Sequence, residues 1–156
     1  MENNCIFCKI ASKEIETPGI FWEDDEFMAF LSIDPNTKGF SVVIPKKHYD
    51  SDFLKMPDDV LQKLILAAKE VASILEKYFD DVGRVGLMIE GMGVNHAHIK
   101  LFPMHGTESF KTGEWKQTLS GKEFWFDKYE GWLCSGSGPK AEPEELKKLA
   151  QELKNN

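Results

Sequence analysis

One amphipathic stretch, from Pro57 to about Phe79, limits most strongly what this chain can fold into. Its apolar residues recur every three or four positions, which is the spacing of one face of an α-helix. Asp58 and Asp59 stand in its first turn, where carboxylates complement the helix dipole. A long amphipathic helix has to bury its apolar face against another layer of structure. The apolar positions are Val60, Leu61, Leu64, Ala67, Ala68, Val71, Leu75 and Phe79.

Short β-type runs lie on both sides of this helix. GIFWEDDEFMAFLSI (19–33) predicts a β-hairpin, and FSVVIP (40–45) predicts a strand that ends at Pro45. After the helix, RVGLMIEG (84–91) and VNHAHIKLFP (94–103) predict two strands joined by a tight EGMG turn, with Pro103 ending the second. The sequence therefore predicts an α+β fold in which an antiparallel sheet of about five strands carries one long helix.

The C-terminal third is less regular. Residues 104–138 predict an irregular extension with one or two strands, followed by a linker and a short charged helix that begins near Pro143. The predicted organisation is a domain over 1–110 and a C-terminal extension over 111–156, packed on the same domain or on a dimer. Trp115, Trp125 and Trp132 in the extension are assigned to packing or to a subunit interface.

Charge and composition exclude several classes of protein. The formal net charge is −7 and no basic face is visible, which argues against binding to a nucleic-acid duplex. No apolar run approaches the roughly 20 residues of a membrane-spanning helix, and the start MENNCIFCKI lacks the features of a signal peptide. The chain is therefore predicted to be soluble and cytoplasmic, where a structural disulfide between Cys5 and Cys8 is disfavoured.

A polar stripe interrupts the last predicted strand. Side chains of a strand alternate between its faces, so His96, His98 and Lys100 are expected on one side and their apolar neighbours on the other. The plainer interpretation is a half-exposed strand with these side chains in solvent. Two histidines beside a glycine-rich turn favour a functional site instead.

Three motifs carry a resemblance to a known family. CIFCKI, FLSIDPNTKGFSVVIPKKH and GMGVNHAHIKLFP resemble, in order and spacing, the histidine triad (HIT) family of nucleotide hydrolases and transferases. The match runs roughly from Cys5 to Pro103 and implies a HIT-like fold and a homodimer. The family's signature alternates three histidines with apolar residues and closes with a proline, and its three positions here are His96, His98 and Lys100.

The resemblance implies a reaction at the α-phosphate of a purine nucleotide or a dinucleoside polyphosphate. His98 would be the nucleophile that forms a nucleotidyl-histidine intermediate, with Lys100 and His96 beside it, and the bond cleaved would be a phosphoanhydride or a phosphoramidate. The residues that correspond to nucleotide-binding positions are Ile10, Phe30, Ser32, Ile33, Asp34, Met92 and Gly93.

Three of these positions depart from the family's pattern. Lys100 stands in place of the third histidine, Met92 in place of a glutamine and Ser32 in place of an aspartate. They support an alternative function, a nucleotide-binding or partner-binding HIT-fold module with zinc and little or no catalysis. A third hypothesis is a structural zinc protein without affinity for nucleotides.

Cys5 and Cys8 form a C-x-x-C pair, which together with two distant histidines could supply four ligands for zinc. The four ligands of a closed tetrahedral site would be Cys5, Cys8, His48 and His96. Some relatives in the resembling family bind zinc at these positions, and on that interpretation His96 is structural while His98 is chemical. The alternative is that both cysteines are small packed side chains and that His48 caps a strand. A thioredoxin-like redox role is less favoured because the pair precedes no helix of a βαβ unit.

Overall fold

The computed structural model describes residues 4–117 and 140–155 of the 156-residue chain, and these residues form an α+β fold. The prediction of one long helix on an antiparallel sheet is confirmed. Its elements are α1 (Ile6–Ala11), β1 (Ile20–Glu23), β2 (Phe27–Leu31), β3 (Ser41–Pro45), α2 (Asp58–Tyr78), β4 (Val82–Met88), β5 (Ile99–His105) and α3 (Pro143–Lys154), with 3₁₀ turns at Phe53–Lys55 and Glu108–Thr112.

All five strands belong to one sheet in the order β1-β2-β3-β5-β4, and every neighbouring pair is antiparallel. β1, β2 and β3 follow one another as a meander, as the closely spaced strand signals predict. The chain then crosses through α2 to the far edge and returns through β5 to the centre. β2 and β3 are buried at every position, because the sheet is covered on both faces.

α2 covers one face of the sheet with the apolar stripe seen in the sequence. Leu64, Ala68, Val71 and Leu75 are all completely buried in the main core, against strand residues such as Val43. Burying side chains of this size contributes about 1.5–3 kcal/mol each. This packing holds one face of the sheet against α2, and the site lies on the opposite face.

The opposite face of the sheet is covered by α1, which sequence patterns did not predict. Ile10 of α1 packs with Phe30 and Val42 in a second apolar cluster, and Phe7 joins its edge. A helix of six residues is too short to show a period in the sequence. α1 places Cys5 and Cys8 over the centre of the sheet.

α3 begins at Pro143, as predicted, and its apolar side chains join the main core. Leu146, Leu149 and Leu153 are buried beside residues of α2 and β2. The Tyr78 hydroxyl donates a hydrogen bond to the Glu152 carboxylate, which together with burial raises the pKa of Tyr78 to about 12. The division of the chain at residue 110 stays a prediction.

The last predicted strand differs from the structure at both ends. β5 starts at Ile99, so His96 and His98 lie in the irregular segment before it, and β5 continues through Pro103 to His105. Pro103 is tolerated because β3 pairs with β5 only as far as Leu101, leaving the proline opposite β4 alone.

The interpretation that both histidines face solvent is wrong. His96 has no exposed surface and His98 has 4%. Both side chains are buried because α1 lies over this face of the sheet, next to them.

The predicted irregular extension is described only in part. Residues 106–117 contain the 3₁₀ turn Glu108–Thr112 and no strand, and the Trp115 side chain is 71% exposed. The expected strands further on, together with Trp125 and Trp132, fall outside the described residues. Within the described ranges, none of the helices combines the length and apolar character needed to cross a membrane.

Candidate active site and metal centre

His98 is held in one orientation by the backbone. Its Nδ1 lies 2.7 Å from the carbonyl oxygen of His96. A carbonyl only accepts hydrogen bonds, so Nδ1 carries the proton and Nε2 carries the free lone pair. His96 and His98 are two residues apart, and the ring of His98 reaches back to the carbonyl of His96.

The pKa of His98 is lowered, chiefly by burial and further by the charge of Lys100. The hydrogen bond to the His96 carbonyl and the charge of Glu90 oppose that change. A neutral imidazole with a free Nε2 is the form that can act as a nucleophile.

Four sulfur and nitrogen atoms converge beside this histidine. Sγ of Cys5, Sγ of Cys8 and one nitrogen each of His48 and His96 all lie within 4.8 Å of one another. Nδ1 of His96 is 3.4 Å from the Cys5 sulfur and 3.5 Å from the Cys8 sulfur, and Nδ1 of His48 is 3.3 Å from the Cys8 sulfur. In a tetrahedral zinc site with ordinary bond lengths, neighbouring sulfur and nitrogen ligands lie about 3.5 Å apart. The donor set and its spacing therefore fit zinc.

The protonation state of His96 also suits a metal ligand. Its Nε2 lies 2.9 Å from the Pro45 carbonyl and donates to it, which leaves the Nδ1 lone pair facing the two sulfurs. Burial lowers the pKa of His96 to about 4, an effect that the Pro45 carbonyl opposes and that His48 reinforces. Nε2 of His48 lies 3.6 Å from the Asp50 carboxylate, which is beyond hydrogen-bond distance. Both cysteines are free thiols.

Phe7 links the two centres and was not singled out as a site residue by sequence reasoning. Its ring meets those of His96 and His98 edge to face, with centroids 5.8 and 5.4 Å away. Phe7 lies between Cys5 and Cys8 in the sequence, so interactions that hold the two cysteines in place also hold the Phe7 ring in place. The position between Cys5 and Cys8 is the signal that could have identified it.

Lys100 forms a partly buried ion pair with Glu90. Its Nζ donates to the Glu90 carboxylate, and the two side chains are only 15% and 12% exposed. Burial raises the pKa of Glu90, but the hydrogen bond and charge of Lys100 outweigh it, so the pKa of that carboxyl is lowered overall. Sequence reasoning missed Glu90, because a glutamate in a turn carries no motif.

The loop from Ile89 to His98 is fastened to the segment after β3. The Asn95 side chain accepts a hydrogen bond from the backbone of Ser51 at 3.0 Å and donates one to Asp50 at 3.0 Å. The backbone N–H of Ala97 donates to the Tyr49 carbonyl at 2.7 Å. Gly91 has φ +66°, and a Cβ there would lie 2.5 Å from the carbonyl oxygen of Ser51. These contacts bring His48 and His96 together.

The residues predicted to bind a nucleotide do not all meet in one place. Ile10 and Ile33 line a cavity of 820 Å³, whose far wall is formed by α3 and the residues before it. Phe30 is buried beneath Ile10. Ser32 lines a separate cavity of 440 Å³ against α3, and its hydroxyl accepts a hydrogen bond from the backbone of Asp34 at 3.2 Å.

The last two predicted positions, Met92 and Gly93, lie on the exposed part of the loop. The Met92 side chain is 70% exposed. Its backbone N–H donates to the Glu90 carboxylate, which ties this part of the loop to the buried ion pair.

Comparisons with known proteins give a consistent result. A family model described as "HIT domain" matches residues 13–107. An uncharacterised HIT-like protein of Methanocaldococcus jannaschii is 40% identical over 117 residues, which cover 72% of this chain and 89% of that protein. The adenosine 5'-monophosphoramidase of Saccharomyces cerevisiae is 31% identical over 105 residues, covering 67% of this chain and 65% of that enzyme.

The fold has solved counterparts. The crystal structure of a hypothetical histidine triad nucleotide-binding protein from Sulfolobus tokodaii superposes with a TM-score of 0.70 at 22% identity, covering 97% of this chain and 90% of that one. At this identity the likeness is one of fold. It extends beyond the family model, which ends before α3 begins.

Proposed function

Because the chain belongs to the HIT domain family, as its motifs predicted, we propose that it hydrolyses a purine nucleotide derivative at the α-phosphate through His98. The similarity to a yeast adenosine 5'-monophosphoramidase supports this class of substrate. The observation that carries the proposal is the 2.7 Å contact from Nδ1 of His98 to the His96 carbonyl, which directs the lone pair of Nε2 away from the backbone.

The reaction takes two displacements. Nε2 of His98 attacks the α-phosphorus, the bond from phosphorus to the leaving group breaks, and the leaving group takes the electron pair. The carbonyl of His96 then stabilises the positive charge on the nucleotidyl-imidazole through Nδ1–H. Water forms the second phosphorus–oxygen bond, the phosphorus–nitrogen electrons return to Nε2, and the proton from water passes to solvent.

The base of the nucleotide is proposed to bind beside Ile10 and Ile33, where the 820 Å³ cavity offers apolar walls. Phe30 supports Ile10 from below. Ser32 and Asp34 follow directly at the end of β2 and are proposed to face the ribose. Backbone N–H groups around Met92 and Gly93 are proposed to bind phosphate oxygens.

Zinc is proposed as a structural ion held by Cys5, Cys8, His48 and His96. The support is the spacing of the four ligand atoms and the donation from His96 Nε2 to Pro45, which leaves Nδ1 available. Bound there, zinc would supply fixed geometry and no chemistry of its own. The homodimer and the cytoplasmic location implied by the sequence stay predictions.

The test is hydrolysis of an adenosine phosphoramidate and a diadenosine polyphosphate by the zinc-loaded protein and by His98→Asn. The variant should lose about 10³-fold or more in kcat, because nothing else in the described site offers a free imidazole lone pair to phosphorus. His105→Asn is the matched control, since His105 lies at the far end of β5 and contacts Asp81. Unchanged turnover by His98→Asn would overturn the proposed function.

The alternative function, a binding module without catalysis, is favoured by one observation. Lys100, at the third position of the signature, is engaged by Glu90 in a buried pair. Calorimetry distinguishes the two functions: nucleotide binding by the wild-type protein without any turnover over hours would favour the module.

A further inference from the structure

The Lys100–Glu90 pair lies near His98, since the charges of both side chains act on its imidazole. In β5, Lys100 stands between Ile99 and Leu101, which pack into the main core, so the Lys100 side chain projects to the opposite face of the sheet. Within the sheet Lys100 is flanked by Val42 of β3 and Met88 of β4, which limits where its ammonium can go. Glu90 reaches the same point from the loop after β4.

The pair is charged and largely shielded from water. Both side chains are at least 85% buried, and the Glu90 carboxylate also accepts the backbone N–H of Met92. Transferring the lysine proton to a substrate would leave a neutral amine beside a buried carboxylate, which breaks the pair and strands the negative charge. An ammonium paired in this way can donate further hydrogen bonds to an anion and stay paired, whereas transferring a proton to a substrate breaks the pair.

The two types of bond that His98 could break differ in whether the leaving group needs a proton or only a nearby cation. When a phosphoanhydride is cleaved, the departing oxygen keeps the electron pair and leaves as a phosphate anion, which needs a nearby cation and no proton. When a phosphoramidate of an amine is cleaved, the nitrogen must gain a proton as the phosphorus–nitrogen bond breaks. A fixed ammonium serves the first reaction and a proton-donating imidazole serves the second.

We propose that the partly buried Lys100–Glu90 pair is a specificity determinant that makes this chain prefer phosphoanhydrides, with anionic leaving groups, over phosphoramidates with amine leaving groups. This inference rests on the proposed function of His98. Nε2 of His98 forms the bond to phosphorus, and the phosphorus–oxygen bond breaks with its electrons on the departing phosphate. The Lys100 ammonium donates to that oxygen without losing its proton. Glu90 acts as a positioning residue, because it touches Lys100 rather than the reacting atoms.

The experiment measures kcat/KM for diadenosine tetraphosphate and for adenosine 5'-phosphoramidate with the zinc-loaded protein and compares their ratio among variants. Lys100→Met should lower the anhydride reaction by about 10²-fold, the effect of removing one positioned donor, and the phosphoramidate reaction much less. Lys100→His should shift the ratio at least about tenfold toward the phosphoramidate, because imidazole gives up a proton readily at neutral pH.

Variants of Glu90 separate positioning from a merely structural role. Glu90→Gln removes the carboxylate that positions the Lys100 ammonium and should move the ratio in the same direction as Lys100→His. Glu90→Asp keeps the carboxylate and should restore most of the wild-type ratio. The exposed pair Lys63–Glu26, 2.8 Å apart between α2 and the turn before β2, provides the controls Lys63→Met and Glu26→Gln, which should leave the ratio unchanged.

The outcomes test the specificity of the Lys100–Glu90 pair separately from the proposed function of His98. If wild-type protein turns over both substrates through His98 but Lys100→His and Glu90→Gln keep the ratio within about twofold, the specificity inference is overturned and the function stands. If His98→Asn retains full activity on both substrates, the proposed function fails and the inference fails with it. A ratio that shifts with both Lys100→His and Glu90→Gln supports both.

Discussion

Removal of zinc should lower the stability of this protein substantially. The four proposed ligands connect α1, the segment after β3 and the segment before β5. The two ligands furthest apart in the sequence, Cys5 and His96, are separated by 91 residues. Three of the sulfur–nitrogen pairs already lie 3.3–3.5 Å apart, close to the spacing around a zinc ion, and all four ligand atoms lie within 4.8 Å of one another, so binding requires little rearrangement of the folded chain. Metal affinity is therefore expressed largely as folding free energy.

The size of the effect follows from mass action. With free zinc at 100 to 1,000 times its dissociation constant, binding to the native state stabilises it by about 2.7–4.1 kcal/mol. For a domain of this length each kcal/mol corresponds to roughly 2–4 °C in Tm. Chelation should therefore lower Tm by about 5–15 °C.

The assay is thermal unfolding of the zinc-loaded protein with and without EDTA, together with metal analysis. Cys8→Ser should unfold near the temperature of the chelated wild-type protein and should no longer respond to EDTA. Cys134→Ser removes the remaining thiol of the sequence and serves as the control for loss of a cysteine. An EDTA response below about 1 °C, with far less than one zinc per chain, would refute the reasoning.

Three further changes test other contacts. Gly91→Ala should lower the free energy of unfolding in urea by about 2–4 kcal/mol, because φ is +66° and the new Cβ would lie 2.5 Å from the Ser51 carbonyl oxygen. The control Gly93→Ala, with no atom within 4 Å of its Cβ, should lower it far less. Equal losses of stability in the two variants would contradict this reasoning. Leu153→Ala should cost about 2–4 kcal/mol if α3 belongs to the core, since Leu153 is 1% exposed, whereas Leu66→Ala, at 61% exposure, should change stability by under about 1 kcal/mol. Tyr78→Phe should cost about 1 kcal/mol near neutral pH after allowance for solvent screening. Because the pKa of Tyr78 is raised from 10.0 to about 12, that cost should be complete below pH 10 and disappear as the pH rises through about 12; a cost independent of pH would show that the hydrogen bond to Glu152 contributes nothing.

Much of the fold could be predicted from the sequence because its signals are local and periodic. The stripe of α2 repeats over 21 residues, and β1 to β3 alternate with turn-forming residues, so the layers and the meander follow directly. α1 could not be predicted in this way, since six residues hold fewer than two helical turns. The bounds of β5 depend on how far β3 accompanies it, which only the three-dimensional pairing decides.

In the candidate site too, some residues could be predicted from the sequence, and others depend on contacts that only the folded chain makes. Cys5, Cys8, His48 and His96 were predicted as zinc ligands from the C-x-x-C spacing, two distant histidines and the resemblance to the family, and the structure brings the four side chains together. Glu90 was missed because its importance comes from the ion pair with Lys100, formed only when β4 and β5 lie side by side. The burial of His98 likewise depends on α1.

The covalent intermediate on His98 tests the central claim most directly. The zinc-loaded protein should be mixed with a diadenosine polyphosphate, quenched in denaturant within milliseconds and digested for mass spectrometry under conditions that preserve phosphoramidate bonds. One nucleotidyl group on the peptide that contains His98, formed and lost at the rate of turnover and absent from His98→Asn, is the predicted result. Steady turnover with no modified peptide, or with the nucleotide attached to another residue, would contradict the assignment of His98 as the nucleophile.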